Sequence, residues 1–168
     1  MNKYNTSMTR STATAVSGAH RHPCNGSTAN GSYAIIAGGV SQTAVDYYNT
    51  SGTRSTGTAL PEVKRDVWGA TVGNYCIFAG GENSSGGATA SAVAYNNSMT
   101  RSVPTALSAG RSDIAAATAG NYAVFYCGDL ANGYCTSQVD AYNTSLTKVT
   151  VSNASITRYG CSAASPGK

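Results

Sequence analysis

A seven-residue stretch returns four times along this chain and constrains it more than any other feature. It reads YNTSMTR from Tyr4, YNTSGTR from Tyr48, YNNSMTR from Tyr95 and YNTSLTK from Tyr142, with Tyr-to-Tyr intervals of 44, 47 and 47 residues. A fixed period of this length marks a repeat architecture, in which one supersecondary unit cannot bury its apolar face alone and neighbouring units stack to do so. The 168 residues are therefore about three and a half copies of one unit.

The third copy shows the unit most clearly. Arg111-Ser112-Asp113 opens a run of small residues through Ala119, and Gly120-Asn121 separates it from Tyr122-Ala123-Val124-Phe125-Tyr126. Two apolar runs joined by Gly-Asn predict a tight hairpin with glycine in the positive-φ position of a II′ turn. Gly73-Asn74 repeats the pattern before Tyr75, and Gly31-Ser32 is a looser version before Tyr33. A glycine pair follows, Gly38-Gly39 or Gly80-Gly81, altered to Cys127-Gly128, and then a variable loop at 40–44, 82–91 or 129–137. A third strand is expected to run up to the recurring Tyr, and a fourth to follow the Asn-Thr-Ser turn. No window has a helical period. The alanine-rich first strand runs against strand propensity and fits a crowded central axis where only small side chains pass.

The glycine pair after a strand, the Tyr beyond it and the blade-length period resemble the kelch repeat. The nearer resemblance is to bacterial and phage kelch-like arrays that carry Y-N-T-S-x-T-R, G-N-Y and a glycine pair, and it covers nearly the whole chain. The usual kelch Trp about seven residues after the Tyr is replaced by Ser11, Ser55, Ser102 and Val149. The resemblance implies an all-β fold of four-stranded antiparallel propeller blades and a recognition role rather than an enzyme.

On this reading residues 1–168 form one array. Residues 1–16 are a partial blade, 21–59, 65–106 and 111–153 are full blades, and 158–168 supply the first strand of another. The terminal pieces together lack a second strand, so the ring is expected to be incomplete in one chain, completed in a homo-oligomer or by a longer chain.

The net charge of +4 invites a nucleic-acid reading, but all seven arginines occupy two phased positions. Arg10, Arg54 and Arg101 end the repeated turn, with Lys148 in the fourth copy; Arg21, Arg65, Arg111 and Arg158 form a second set at intervals of 44, 46 and 47 residues. A phosphate-tracking surface would gather its charges on one face, so nucleic acid is not an expected partner. The second set is the candidate ligand-binding group. Placed at the start of each innermost strand, it could form an anion-recognising mouth, for example for an acidic glycan. Alternatively, each guanidinium ties neighbouring blades by bonding carbonyls or Asp66 and Asp113.

Other constellations carry less. His20, His22 and Cys24 could face one way on a strand, but lack a fourth zinc partner at a familiar spacing. Cys24, Trp68, Ile114 and Cys161 all stand three residues after the second-set Arg, which favours packing. The odd count of five cysteines fits buried free thiols better than a disulfide framework. Asp46 and Asp140 stand two residues before the phased Tyr, a position owed to the repeat. No acid–base pair, nucleophile elbow or phosphate-cradling Gly-Lys motif is present. Eight Asn-x-Ser/Thr sites occur, four of them in the repeated turn, where Asn serves conformation. Neither a signal peptide nor a membrane-spanning stretch is evident, which suits a bacterial intracellular or virion location. No metal or cofactor is expected. The sequence thus points to a non-enzymatic module binding a glycan or protein at a cell or virion surface, with specificity in the variable loops. The alternative is an architectural or assembly domain of a phage tail or large surface protein.

Overall fold

The computed structural model describes residues 2–18, 20 and 27–165. Among them there is no helix, and so none long and apolar enough to cross a membrane. A hairpin, β1 (Asn2–Tyr4) and β2 (Arg10–Thr12), precedes three antiparallel four-stranded sheets. The first sheet is β3 (Ser27–Ala29), β4 (Ala34–Ala37), β5 (Val45–Tyr48) and β6 (Arg54–Thr56). The second is β7 (Trp68–Val72), β8 (Tyr75–Ala79), β9 (Ala92–Asn96) and β10 (Arg101–Ser102). A short β11 (Arg111–Ser112) leads into the third sheet, formed by β12 (Ala115–Ala119), β13 (Tyr122–Tyr126), β15 (Val139–Tyr142) and β16 (Lys148–Val149). Between them β14 (Asp129–Leu130) pairs with β11. The expected four strands per period are present; the fourth is shorter than the run from Leu146 to Val151 suggested.

Local chemistry sets the turns. Val72 pairs with Tyr75 and Ala119 with Tyr122, leaving two-residue links in which Gly73 and Gly120 have φ of 53° and 56°. Their Asn partners stay at negative φ, as a II′ turn requires. In the repeated turn the Asn side chain is the organiser. Asn96 Oδ1 accepts from the amides of Ser98 and Thr100, and Asn143 Oδ1 from those of Ser145 and Thr147. Asn5 makes the same pair of bonds, and Asn49 accepts from Thr53. The Asn of the repeated turn thus bonds its own turn in all four copies, as an Asx turn at Asn5, Asn96 and Asn143.

The second sheet is buried on both faces, and strand alternation divides its side chains between two cores. Cys76, Phe78, Val93 and Tyr95 pack with Ile35, Val45, Leu60 and Val67 toward the first sheet. Ile77, Ala92 and Ala94 pack with Ile114, Phe125 and Tyr142 toward the third. Phe78 meets Tyr95 edge-on at 6.2 Å between ring centroids, and Phe125 meets Tyr142 likewise at 5.9 Å. The three sheet tyrosines share one environment. Tyr48, Tyr95 and Tyr142 are buried and donate through Oη to the carbonyls of Thr14, Thr58 and Thr105 at 2.8, 2.7 and 2.7 Å.

The first strands are small-sided because they meet directly. Thr28 Oγ1 lies 2.9 Å from Thr71 Oγ1. Thr118 Oγ1 donates to the Thr71 carbonyl at 2.7 Å, and the Thr118 amide donates to Ser165 Oγ at 3.0 Å. A Cβ added at Gly69 would stand 3.1 Å from Thr28 Cγ2 and 3.0 Å from Phe78 Cε1. At the chain's far end Arg158 bridges to Thr136, and Tyr126 Oη donates to the Ser162 carbonyl, so 158–165 runs beside the third sheet. Among the described residues no ladder joins this segment to β1 or β2, and no closed sheet forms.

Candidate functional site

A four-stranded meander sends its first-to-second and third-to-fourth turns to one end, and its second-to-third loop and exit to the other. One end of the molecule therefore carries the repeated Gly-Asn and Asn-x-Ser turns. The other gathers the variable loops at 40–44, 82–91 and 129–137 with the connections between sheets. Of the sequence-identified arginines, Arg65, Arg111 and Arg158 belong to this second end.

They do not form one ring of equivalent groups. Arg111 is fully buried. Its guanidinium donates to the carbonyls of Cys127 at 3.1 Å and Gln138 at 2.6 Å, and pairs with Asp140 at 2.5 Å. Arg65 is 38% exposed and pairs with Glu82. Arg158 is exposed, and Arg21 lies outside the described residues. Of the two sequence readings of this set, the geometry at Arg111 is that of a tie to carbonyls, with Asp140 as its acid in place of Asp113.

The spatial counterparts of Arg111 are residues that sequence reasoning passed over. Lys64 is fully buried and donates through Nζ to the Gly80 carbonyl at 2.9 Å, Thr89 Oγ1 at 2.9 Å and the Ser91 carbonyl at 3.1 Å. Gly80 and Ser91 hold in the second sheet the places of Cys127 and Gln138 in the third. His20 Nδ1 lies 2.5 Å from the Gly38 carbonyl and Nε2 lies 3.2 Å from Asp46 Oδ2, so both ring nitrogens are engaged. His22 and Cys24, its companions in the zinc reading, lie outside the described residues. His20, Lys64, Arg111 and Arg158 are 44, 47 and 47 residues apart, the intervals of the tyrosines themselves. The 46-residue step from Arg65 to Arg111 was the sign of a one-residue slip. The backbone confirms the corrected phase. The amides of Gly39, Gly81 and Gly128 donate to the carbonyls of Lys64, Arg111 and Arg158, each at 2.8 Å. Each such residue joins one sheet through its carbonyl, and Lys64 and Arg111 brace the next through their side chains.

The carboxylates complete this frame. Asp46 is buried and accepts from the Ser17 amide and hydroxyl, His20 and Arg54. Asp140 accepts from the Ser108 amide and hydroxyl and from Arg111. The second sheet carries Val93 here and Pro61 in place of the serine, so the acid and its donor are lost together. Burial pushes Lys64 down to about 8 despite the opposing pull of Glu62. At Asp46 burial opposes ionisation, but the donors from Ser17, His20 and Arg54 outweigh it and hold the carboxyl below its ordinary value of 3.8. The unfolded chain therefore binds the proton more tightly, and Asp46 contributes stability that is complete above its ordinary value and lost as pH falls through the depressed one. Thermal midpoints measured between about pH 5 and pH 2 are expected to fall more steeply in the parent than in Asp46→Asn, which is already weakened at neutral pH. Parallel curves would show that Asp46 takes no part.

The groups left facing outward on the variable end are different in kind. Glu82 holds Arg65, and Asp113 is raised by burial and by the charges of Asp129 and Glu82. Tyr134, at the tip of the third loop, is 72% exposed. An open hollow of about 240 Å³ lies at the rim between Ser108, Gln138, Lys148, Thr150 and Asn153. The loop residue Tyr134 has no equivalent in the other copies, whereas Ser108 and Lys148 belong to the repeating frame. Among the described residues no group of three His, Cys, Asp or Glu side chains is placed to hold a metal ion.

No family model and no curated protein matches the chain. The structure of YjhT is one of 132 matching chains of solved structures, so this arrangement of sheets is not peculiar to the sequence. It is similar at a TM-score of 0.61 and 11% identity over 73% of this chain and 42% of that one. The chain thus spans less than half the length of that relative, and the likeness is one of fold.

Proposed function

We propose that the chain is an array of kelch-like β-propeller blades acting as a non-enzymatic recognition module, whose variable end binds a glycan or a protein at a cell or virion surface. The observation behind this reading is the division of labour between the two ends. Tyrosines, cations and glycine pairs brace each sheet in the same way, while the loops at 40–44, 82–91 and 129–137 change in length and composition on one shared face. Nucleic acid is not the proposed partner, because Lys64 and Arg111 are consumed inside the frame and Arg65 by Glu82. No cofactor or membrane insertion is part of the reading.

A glycan array and a surface-protein array probed with the chain are expected to give a defined set of hits. Replacing 83–87 and 131–134 with Gly-Ser linkers of equal length should remove those hits and leave the thermal transition in place. Silent arrays, or hits that survive both loop replacements, would overturn the reading and leave the architectural role.

A further inference from the structure

The glycine pair marks where one sheet presses on the next, and the third copy departs from it in three places at once. A Cβ at Gly80 would stand 2.8 Å from the Arg111 carbonyl, 2.9 Å from Ile114 Cδ1 and 3.5 Å from Leu107 Cδ1. At Gly38 the same neighbours recur as the Lys64 carbonyl, Val67 Cγ1 at 3.5 Å and Leu60 Cδ1 at 3.2 Å. One period further on, the glycine becomes Cys127, the Leu becomes Ala154 and the Ile becomes Cys161. The equivalence is fixed by the backbone. Leu60, Leu107 and Ala154 each donate an amide bond of 2.8 Å to the preceding loop, at the carbonyls of Thr43, Ala90 and Ser137. Cys161 therefore corresponds to Val67 and Ile114 rather than to Trp68, which corrects the sequence phasing by the same single residue as before. Where the array gains a side chain at 127, both residues it would strike have become smaller, and one of them is a thiol.

We infer that Cys127 and Cys161 form a reversible disulfide that fastens the segment after the third sheet to that sheet. Both thiols are free in this structure, Cys127 buried with φ of 58° and Cys161 half-buried. The Gly128 amide on the Arg158 carbonyl at 2.8 Å and the Thr136–Arg158 bridge hold the two segments side by side, and burial first, then negative charge at Cys161, raises the Cys127 thiol. The oxidant is a small-molecule disulfide such as oxidised glutathione. The more accessible Cys161 thiolate attacks it, forms a mixed disulfide and releases one glutathione thiolate. Cys127 then loses its proton to solvent and attacks the Cys161 sulfur, releasing the second glutathione. Two protein thiols become one S–S bond, and the S–S bond of the oxidant becomes two thiols. Because Cys127 is harder to ionise than an ordinary thiol, the second step quickens as pH rises.

The test uses the whole chain. After incubation with oxidised glutathione and blocking of residual thiols, trypsin without reductant should yield peptide 112–148 linked to 159–168. The longer peptide also holds Cys135, so the parent is compared with Cys135→Ser, Cys127→Ser and Cys161→Ser. The link is expected in the parent and in Cys135→Ser, absent from the other two, and removed by reductant, and the oxidised parent should melt several degrees above the reduced one. A link that persists in Cys127→Ser, or glutathione held on Cys161 with no link, would overturn the inference.

Discussion

Replacing Arg111 with methionine will lower the free energy of unfolding by about 3 kcal/mol, because the buried Asp140 keeps only the more distant charge of Lys148, 3.5 Å away. The carbonyls of Cys127 and Gln138 each lose a donor in the same step, Gln138 keeping the Cys127 amide. Arg65→Met is the control. Its guanidinium is partly in solvent against Glu82, and its loss should cost under about 1 kcal/mol. The second sheet shows how to rescue the first change, since Val93 stands where Asp140 does. Adding Asp140→Val to Arg111→Met should recover most of the loss. Urea titration of the four proteins measures all of this. Equal costs for the two single variants would sink the account of Arg111 as a buried brace.

Gly81→Ala is the second large effect. The residue has φ of 85°, and an added Cβ would stand 3.0 Å from the Val67 amide nitrogen and closer still to the Arg65 carbonyl. Neither obstacle is the loose end of a side chain, so the chain entering β7 must part from the chain leaving β8 within the second sheet. The backbone conformation and the overlap together should cost about 3 kcal/mol. Gly120→Ala serves as the comparison, since its φ of 56° carries the backbone cost with nothing within 4 Å. A loss at Gly81 no greater than at Gly120 would show that Gly81 does not lie against Arg65 and Val67 as described.

Much of the architecture was legible because it depends on short-range chemistry. The Gly-Asn links, the Asn-led turns and the tyrosine period each report a local conformational demand, and each is where the sequence placed it. The phase of the basic residues was harder to read. Matching Arg65 with Arg111 follows side-chain identity, whereas the frame selects by position, and at that position three different bases do the same work. His20, Lys64 and Arg111 each bond the carbonyl of the same turn in their own sheet. The clue lay in spacing alone, and it was outweighed by the resemblance of one arginine to another. The coupled loss of Asp and Ser in the second copy, at Val93 and Pro61, was invisible for a related reason. Those partners are 32 residues apart and meet only when the sheet is assembled. The outward groups of the variable end carry no period by which a sequence could rank them.

The joints between sheets have an evolutionary consequence. Within 58–104 or 105–151, Tyr finds its Thr carbonyl, the buried base finds its carbonyls and the carboxylate, where there is one, finds its serine. What crosses from one stretch to the next is a glycine amide on a carbonyl that any residue possesses, together with an apolar seam in which the side chains of neighbouring sheets must fit one another. A gene encoding such stretches can gain, drop or exchange them whole by unequal recombination, since the polar ties travel inside each cassette and only the apolar seam has to be refitted. New surfaces can thus be tried by shuffling cassettes, with the adjustment confined to the side chains at each joint.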